Sequence, residues 1–185
     1  AGRLIAERAT AFDERKLRQV TKILSDGLPE DTKRQFLFQA VTADASELVE
    51  QFIKDGDPVA HTPDTMRMMA DRASERHCSK TFKMLHDQGA EHENSPAYVM
   101  IMDGDFAGAR HEIAQGTDPA APNENGNSLL HAAGFKQNAR MAEVIVEAAG
   151  PEIIHQQNKD GKSFIAVSFD PMVDPEMDDW GNVLS

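Results

Sequence analysis

The side chains best suited to chemistry are seven histidines and one cysteine in a chain of 185 residues. His77 and Cys78 are adjacent, so they cannot share one face of a helix as a nucleophile and its base must. His86 and His92 lie on either side of Gly89 with two glutamates nearby, a grouping that suits an adventitious divalent cation better than a dedicated metal site. We therefore expect no catalytic residue, no resident metal and no cofactor.

Carboxylate pairs give no stronger indication of chemistry. The sequences 55–57 and 103–105 are both Asp-Gly-Asp, which is typical of helix ends and turns, and neither continues into a twelve-residue calcium loop. The segment 104–108 lacks the spacing and the lysine of a phosphate-binding loop. Both patterns predict local roles in backbone turns.

The composition excludes several classes of partner. The formal net charge is −12, from 31 Asp and Glu against 19 Lys and Arg, so the chain lacks the basic surface that nucleic acid or an anionic membrane requires. Residues 1–22 carry a net charge of +3 and residues 170–185 a net charge of −5. No apolar run approaches the roughly 18 residues of a membrane span. We expect one soluble, monomeric, cytoplasmic folded unit whose partner is a protein, with a basic surface favoured.

Any binding residues must be positioned by helices or strands. The sequence indicates how these are arranged, because it repeats with a period near 33 residues. Hydroxyl residues followed by proline or an apolar residue are spaced by 33, 33 and 35: Thr62, Ser95, Ser128 and Ser163. A second set of small residues marks another phase of this period: Gly56, Gly89, Gly116 and Ala149. The step from Gly89 to Gly116 is only 27, which we interpret as the loss of six residues from one connection. Such a period is typical of stacked helical repeats.

Between these marks the apolar residues have helical spacing. Leu48, Val49, Phe52 and Ile53 form a stripe at i, i+1, i+4 and i+5 that ends before Gly56. The same offsets recur in the later units, with weaker apolar content in the middle ones. The pattern predicts a short helix, a tight link, a second helix and a glycine in each unit.

These units resemble the ankyrin repeat family, on the evidence of residues 125–133, which read Asn-Gly-Asn-Ser-Leu-Leu-His-Ala-Ala, and of residues 159–166 in the next unit. The resemblance implies an all-α fold, an α-solenoid of about five ankyrin-like helix-turn-helix repeats. We expect an N-terminal helical cap over 1–30 and an acidic C-terminal cap or tail over 170–185. The expected repeats cover 31–169, at about 34–60, 61–92, 93–122, 123–157 and 158–169 onward.

The repeats also depart from the family pattern. His131 is the only histidine at the family's histidine position, and Tyr98 and Ala166 stand there in other units. Met100 occupies a position where a small residue would let helices approach closely. Only six residues take the chain from Gly89 to Ser95, so we expect the family's β-hairpin finger to be absent between the second and third units.

The resemblance assigns roles to particular residues. His131 is expected to be structural, its ring bonding the backbone of a neighbouring loop. The other residues expected to have structural roles are the three repeat glycines and two small first-helix residues: Gly56, Gly89, Gly116, Ala40 and Ala133. The side chains expected on the concave, partner-binding surface are Asn125, Asn127, Phe135, Lys136, Met102, Asp103, Asp160 and Lys162.

Three functions follow from these expectations. The first is a non-catalytic protein–protein interaction module that binds its partner on the concave face of the stack. The second is the targeting domain of a larger enzyme or translocated effector. The third is an acidic inhibitor or antagonist of a basic protein. Phe135 is expected either to be an exposed binding anchor or to fold back on the stack, and Trp180 either to cover the open end of the stack or to bind a partner.

Overall fold

A computed structural model describes residues 28–169, which form two compact units, residues 28–103 and 104–169. The boundary falls between the two helices of the third expected repeat. The N-terminal cap expected over 1–30 lies almost entirely outside the described residues. The expected C-terminal segment 170–185, with Trp180, lies wholly outside them.

The described chain holds nine α-helices and one 3₁₀ helix. Its β-type pairing is a single bridge between Gln157 and Ser163. The helices of the first unit are α1 (Glu30–Thr42), α2 (Ser46–Lys54), α3 (Pro63–Glu75), α4 (Ser79–Asp87) and α5 (Pro96–Asp103). Those of the second unit are α6 (Phe106–Ala114), α7 (Leu129–Phe135), α8 (Ala139–Ala149), the 3₁₀ helix Pro151–His155 and α9 (Phe164–Phe169).

The periodic hydroxyl residues begin the first helix of successive repeats. Thr62 Oγ1 accepts a hydrogen bond from the amide of Thr65 at 3.2 Å, and Ser95 Oγ accepts one from the amide of Tyr98 at 3.3 Å. Ser163 Oγ stands in the same relation to the amide of residue 166, at 3.5 Å. Each hydroxyl satisfies an amide that the helix itself leaves unpaired, so the 33-residue spacing is a spacing of N-caps.

The periodic glycines end the second helices. Gly56, Gly89 and Gly116 have φ values of 74°, 88° and 106°, a left-handed conformation that glycine adopts without steric cost. In the fourth repeat Ala149 remains helical and Gly150 takes the positive φ, 89°. α8 is two residues longer than α2, α4 and α6, because its glycine comes one residue later and the helix continues up to that glycine without an intervening residue.

A second series of left-handed residues joins the two helices of each repeat. These residues are spaced by 33, 27 and 33: Asp44, His77, Gly104 and Gln137. Three of them are not glycine, which is why the glycine pattern of the sequence does not reveal the series. The tight link of each repeat is this single left-handed residue.

The sequence suggested that the third repeat had lost six residues from a connection, and this interpretation is wrong. The same number of residues separates Gly56 from α3 and Gly89 from α5. Five of the six are missing from the first helix, because α3 has 13 residues and α5 has eight, and the sixth is the residue after the helix: Arg76 stands between α3 and His77, whereas Gly104 follows α5 directly. In the fourth repeat the spacing between left-handed links is again 33 residues, because a long connection over residues 117–128 precedes the short α7.

Each unit has its own buried core. In the first unit the core includes Leu37, Phe52, Met69, Phe82 and Leu85, each at most 1% exposed. Ala40 and Ala73 are also buried there, at 6% and 0%. In the second unit the core is formed by α7, α8, the 3₁₀ helix and α9, through Leu129, Leu130, Ala133, Met141, Ile145, Ile153 and Val167.

α7 and α9 pack closely at Gly134. A Cβ atom at this position would lie 2.8 Å from Val167 Cγ2 and 3.0 Å from the carbonyl oxygen of Phe164. The sequence assigned close packing to alanines such as Ala133, which is fully buried. Here the helices need a residue with no side chain at all.

Candidate interaction surface

Two loops of the second unit have the same internal structure. Asn123 Oδ1 accepts hydrogen bonds from the amides of Asn125 and Asn127 at 3.0 and 2.9 Å. Thirty-five residues later, Asn158 Oδ1 accepts them from the amides of Asp160 and Lys162, both at 3.0 Å. These asparagine side chains replace backbone partners in a tight turn, so each loop is held by its own first residue.

The two loops are also bonded to each other. Asn158 Nδ2 donates to Asn127 Oδ1 at 2.9 Å, and both of these residues are 9% exposed. The amide of Lys159 donates to the carbonyl oxygen of Asn125 at 3.0 Å. Gly126, with a φ of 78°, lies where a Cβ atom would meet the Lys159 nitrogen at 2.8 Å. The loops therefore form one rigid edge, defined here as the asparagine edge, residues 123–127 and 158–162.

His131 joins the asparagine edge to α7. Its Nδ1 accepts a hydrogen bond from the amide of Ser128 at 3.2 Å, which leaves the proton on Nε2, and Nε2 donates to the carbonyl oxygen of Lys162 at 3.1 Å. The ring is fully buried, and this burial lowers the pKa of His131 below the ordinary 6.5, against the opposing effect of the hydrogen bond to Lys162. His131 is thus neutral at pH 7 and acts as a bridge between loop and helix.

The eight residues expected on the partner-binding surface differ in accessibility. Four have exposed side chains: Asn125, Lys136, Asp103 and Asp160. Phe135 and Lys162 are half-buried, so Phe135 lies between the exposed anchor and the folded-back side chain that the sequence left open.

Two of the eight are buried. Met102 is 7% exposed, because it lies on the inner side of α5, and the expectation that it lines a surface is wrong. Asn127 is 9% exposed and holds Asn158. Its side chain is a structural element of the asparagine edge and not a free recognition group.

In the first unit, two aspartate side chains form hydrogen bonds to residues of α4. Asp103 accepts a hydrogen bond from the hydroxyl of Ser79. Asp44 Oδ1 accepts from both the amide and the hydroxyl of Thr81. Asp44 therefore caps α4 through the Thr81 amide, and Asp103 connects α5 to the start of α4 through the Ser79 hydroxyl. Asp105, at the start of the second unit, caps α6 by accepting from the amide of Gly108 at 2.9 Å.

The reactive side chains found in the sequence have structural surroundings. Burial raises the pKa of the Cys78 thiol to about 11, and the Asp44 carboxylate adds to the shift, so the thiol stays protonated. His92 Nδ1 accepts from the amide of Asn94 at 2.9 Å while its ring lies edge-on to Phe82. Within residues 28–169, no three His, Cys, Asp or Glu side chains come together as a metal site would require.

Sequence comparison and structural comparison give different results. No model of a known protein family matches the sequence, and no curated protein matches it. Among the solved structures, the chain is similar to the ankyrin repeat domain of Bcl-3, described as a unique member of the IkappaB protein family. The TM-score is 0.50 at 14% identity, over 71% of this chain and 61% of that domain.

None of the helices within 28–169 has the length and apolar character needed to cross a membrane. The paired helices, the 33-residue series of N-caps and left-handed residues, and the similarity to a solved ankyrin repeat domain agree with one another. The chain therefore has the all-helical ankyrin-repeat solenoid fold, built from degenerate repeats.

Proposed function

We propose that this chain is a non-catalytic protein–protein interaction module. Its fold is typical of proteins that hold a partner protein and offer no deep catalytic pocket. The proposed binding surface is the concave face of the repeats, and in the second unit this includes the asparagine edge. The exposed recognition side chains would be Asn125, Lys136 and Asp160, flanked by the half-buried Phe135 and Lys162.

The observation that carries this proposal is the rigidity of the asparagine edge. Its two loops are bonded internally by Asn123 and Asn158, and to each other through Asn127. Side chains on such an edge are held in place before a partner arrives, so binding orders few additional groups.

Charge favours a partner with a basic surface. Residues 28–169 contain 22 Asp and Glu against 13 Lys and Arg, a net charge of −9. A field of this sign accelerates encounter with a cationic protein and slows encounter with an acidic one. The same observation would favour an acidic antagonist of a basic protein as the second candidate function.

The test is affinity capture with the intact chain, followed by calorimetry with the purified partner. Asp160→Lys should weaken the Kd by about tenfold, or about 1.4 kcal/mol, if the asparagine edge contacts a basic partner. Glu143→Lys is the matched control, because it makes the same charge reversal at an exposed position on α8. Equal effects of the two variants would contradict the proposed surface, and turnover of a substrate by the purified chain would contradict a non-catalytic function.

A further inference from the structure

A groove of the second unit carries positive charge on an otherwise acidic chain. It lies along α6 and α8 and has a volume of about 260 Å³. Its lining residues are Phe106, Ala107, Arg110, Asn138, Arg140 and Met141. None of them belongs to the asparagine edge, so this groove is a separate surface from the one proposed above.

Both arginines of the groove are accessible. Arg110 and Arg140 have exposed side chains, and no carboxylate within residues 28–169 pairs with either of them. On α6 the positions three and four residues away from Arg110 are all apolar, so its own helix offers it no acidic neighbour. Because the described residues carry a net charge of −9, two unpaired guanidinium groups on one groove reverse the prevailing charge locally.

Arg140 stands where a cation does not stabilise its own helix. It is the second residue of α8, whose first turn contains no acidic residue. The N-terminal end of a helix carries a partial positive charge, which opposes a cation there and favours an anion. The stability of α8 therefore gives no reason for an exposed arginine at this position, whereas binding of an anionic group does.

The groove also has an apolar part. Phe106 is half-buried and Ala107 is exposed, and both lie one turn before Arg110 on the same face of α6. A single inorganic anion bound to the arginines would leave this part open to water. The volume is below the roughly 300–1,000 Å³ of a pocket that encloses a small molecule. The mixed lining and the small volume therefore suit a few adjacent side chains of a peptide.

We propose that this groove binds an acidic segment of a partner protein. Carboxylates of the segment pair with Arg110 and Arg140, and an apolar side chain between them lies against Phe106. A guanidinium group binds a carboxylate through two parallel hydrogen bonds, which fixes the orientation of the pair. Charge complementarity selects this occupant, since the two arginines attract carboxylates and repel the basic surface that we propose for the partner of the asparagine edge.

The test begins with a phage-displayed library of nonapeptides in which Asp or Glu alternates with randomised apolar residues. The library is panned in parallel on the full chain and on the double variant Arg110→Glu/Arg140→Glu. Peptides should be enriched on the wild-type chain and not on the double variant. The most enriched peptide is then synthesised with a fluorescein label, and its Kd is measured by fluorescence anisotropy.

The variants separate the two halves of the groove. The double variant Arg110→Glu/Arg140→Glu should weaken the Kd of this peptide by at least about tenfold, or about 1.4 kcal/mol. Phe106→Ser removes the apolar contact alone and should weaken it by a smaller factor. The Debye length falls from about 10 Å at 0.1 M salt to about 3 Å at 1 M, so high salt should weaken binding to the wild type more than binding to the double variant.

Matched controls come from exposed residues outside the groove. Arg34→Glu/Arg67→Glu changes the net charge of the chain by the same amount at two exposed arginines of the first unit, and should weaken the Kd far less. Asp160→Lys, which tests the asparagine edge, should not weaken it, so either proposal can fail while the other stands. Arg140→Glu places a carboxylate where the dipole of α8 favours one, so circular dichroism should show unchanged helix content.

Three results would overturn the proposal. The first is a library from which no peptide is enriched on the wild-type chain relative to Arg110→Glu/Arg140→Glu. The second is an equal loss of affinity in the two double variants, because the peptide would then respond to the net charge of the chain and not to the groove. The third is self-association of the wild-type chain in size-exclusion chromatography that Arg110→Glu/Arg140→Glu abolishes, which would make a second copy the occupant.

Discussion

Asp44 Oδ1 lies 2.9 Å from the backbone nitrogen of Thr81 and 2.7 Å from its hydroxyl oxygen, although 37 residues separate the two. Asp44 is the left-handed link of the first repeat, and Thr81 is in the first turn of α4. The N-cap residue of α4, Cys78, supplies no side-chain hydrogen bond to the helix. One repeat therefore caps a helix of the next.

Replacing Asp44 by alanine should lower the free energy of unfolding by about 1 kcal/mol, the usual value of an N-cap, as measured by urea denaturation. Asp44→Asn should retain most of the stability, because an amide oxygen can accept the same hydrogen bonds and asparagine tolerates a positive φ.

The control for Asp44→Ala is Gln137→Ala, at the equivalent link of the fourth repeat. Both Asp44 and Gln137 have a φ of 50°, so any strain of alanine in this conformation appears in both variants. Gln137 Nε2 donates one long, exposed hydrogen bond to the Ser168 carbonyl oxygen at 3.4 Å, so Asp44→Ala, which loses two shorter bonds, should cost more stability than Gln137→Ala. A loss in Asp44→Ala no greater than that in Gln137→Ala would contradict the inter-repeat cap.

The pKa of His131 predicts a dependence of stability on pH. Because burial lowers this pKa in the folded chain, the unfolded chain takes up the proton first as the pH falls below about 6.5. The contribution of His131 is complete above that pH and is lost as the pH falls towards the lowered folded-state value. The free energy of unfolding, measured by urea at pH 7.5 and at pH 5.5, should fall more steeply in the wild type than in His131→Asn.

At pH 7.5 His131→Asn should cost about 1–3 kcal/mol, since the carbonyl of Lys162 and the amide of Ser128 lose a buried partner. Parallel pH profiles for the two chains would show that His131 does not titrate differently on folding.

Gly134→Ala should destabilise the second unit although alanine is the better helix former. The added Cβ atom would lie 2.8 Å from Val167 Cγ2, and relieving this overlap should cost about 1–3 kcal/mol in thermal or urea unfolding. The double variant Gly134→Ala/Val167→Ala removes part of the overlap, so its stability should exceed the sum expected from the two single variants. Simple additivity would contradict the close approach of α7 and α9.

Cys78 should be unreactive in the folded chain. Its side chain is 6% exposed and its thiol pKa is raised to about 11, so at pH 8 almost none of it is thiolate. Alkylation by iodoacetamide, followed by mass spectrometry, should be slow in buffer and rapid in urea. Labelling at the same rate in both conditions would contradict the burial of the thiol.

The period, the helix pairs and the ankyrin resemblance were all present in the sequence, and the structural comparison confirms the fold. The period could be recognised because hydroxyl N-caps and left-handed glycines have strict backbone requirements that restrict residue choice. The links at Asp44, His77 and Gln137 escaped notice because non-glycine residues occupy left-handed positions there.

The surface was harder to predict than the fold. An asparagine in a polar loop, such as Asn127, is expected at the surface, and only the position of Asn158 in the folded chain shows that it is buried. One signal was available: Asn123 and Asn158 are separated by 35 residues, as are Ser128 and Ser163. Met102 was misplaced because the expected frame treats the end of the first helix as exposed, whereas in the short α5 this residue packs inward.

The unequal first helices explain how a recognisable fold can escape comparison by sequence. The second and fourth repeats have the same length, yet α3 has 13 residues where α7 has seven, and the remainder becomes loop. A sequence profile compares each repeat position by position. Here the same position is helical in one repeat and part of a loop in another, so the residue preferences of one repeat do not recur in the next. The steps from Asp44 to His77 and from Gly104 to Gln137 are both 33 residues, so equal distances between backbone landmarks are compatible with helices and loops of different lengths between them.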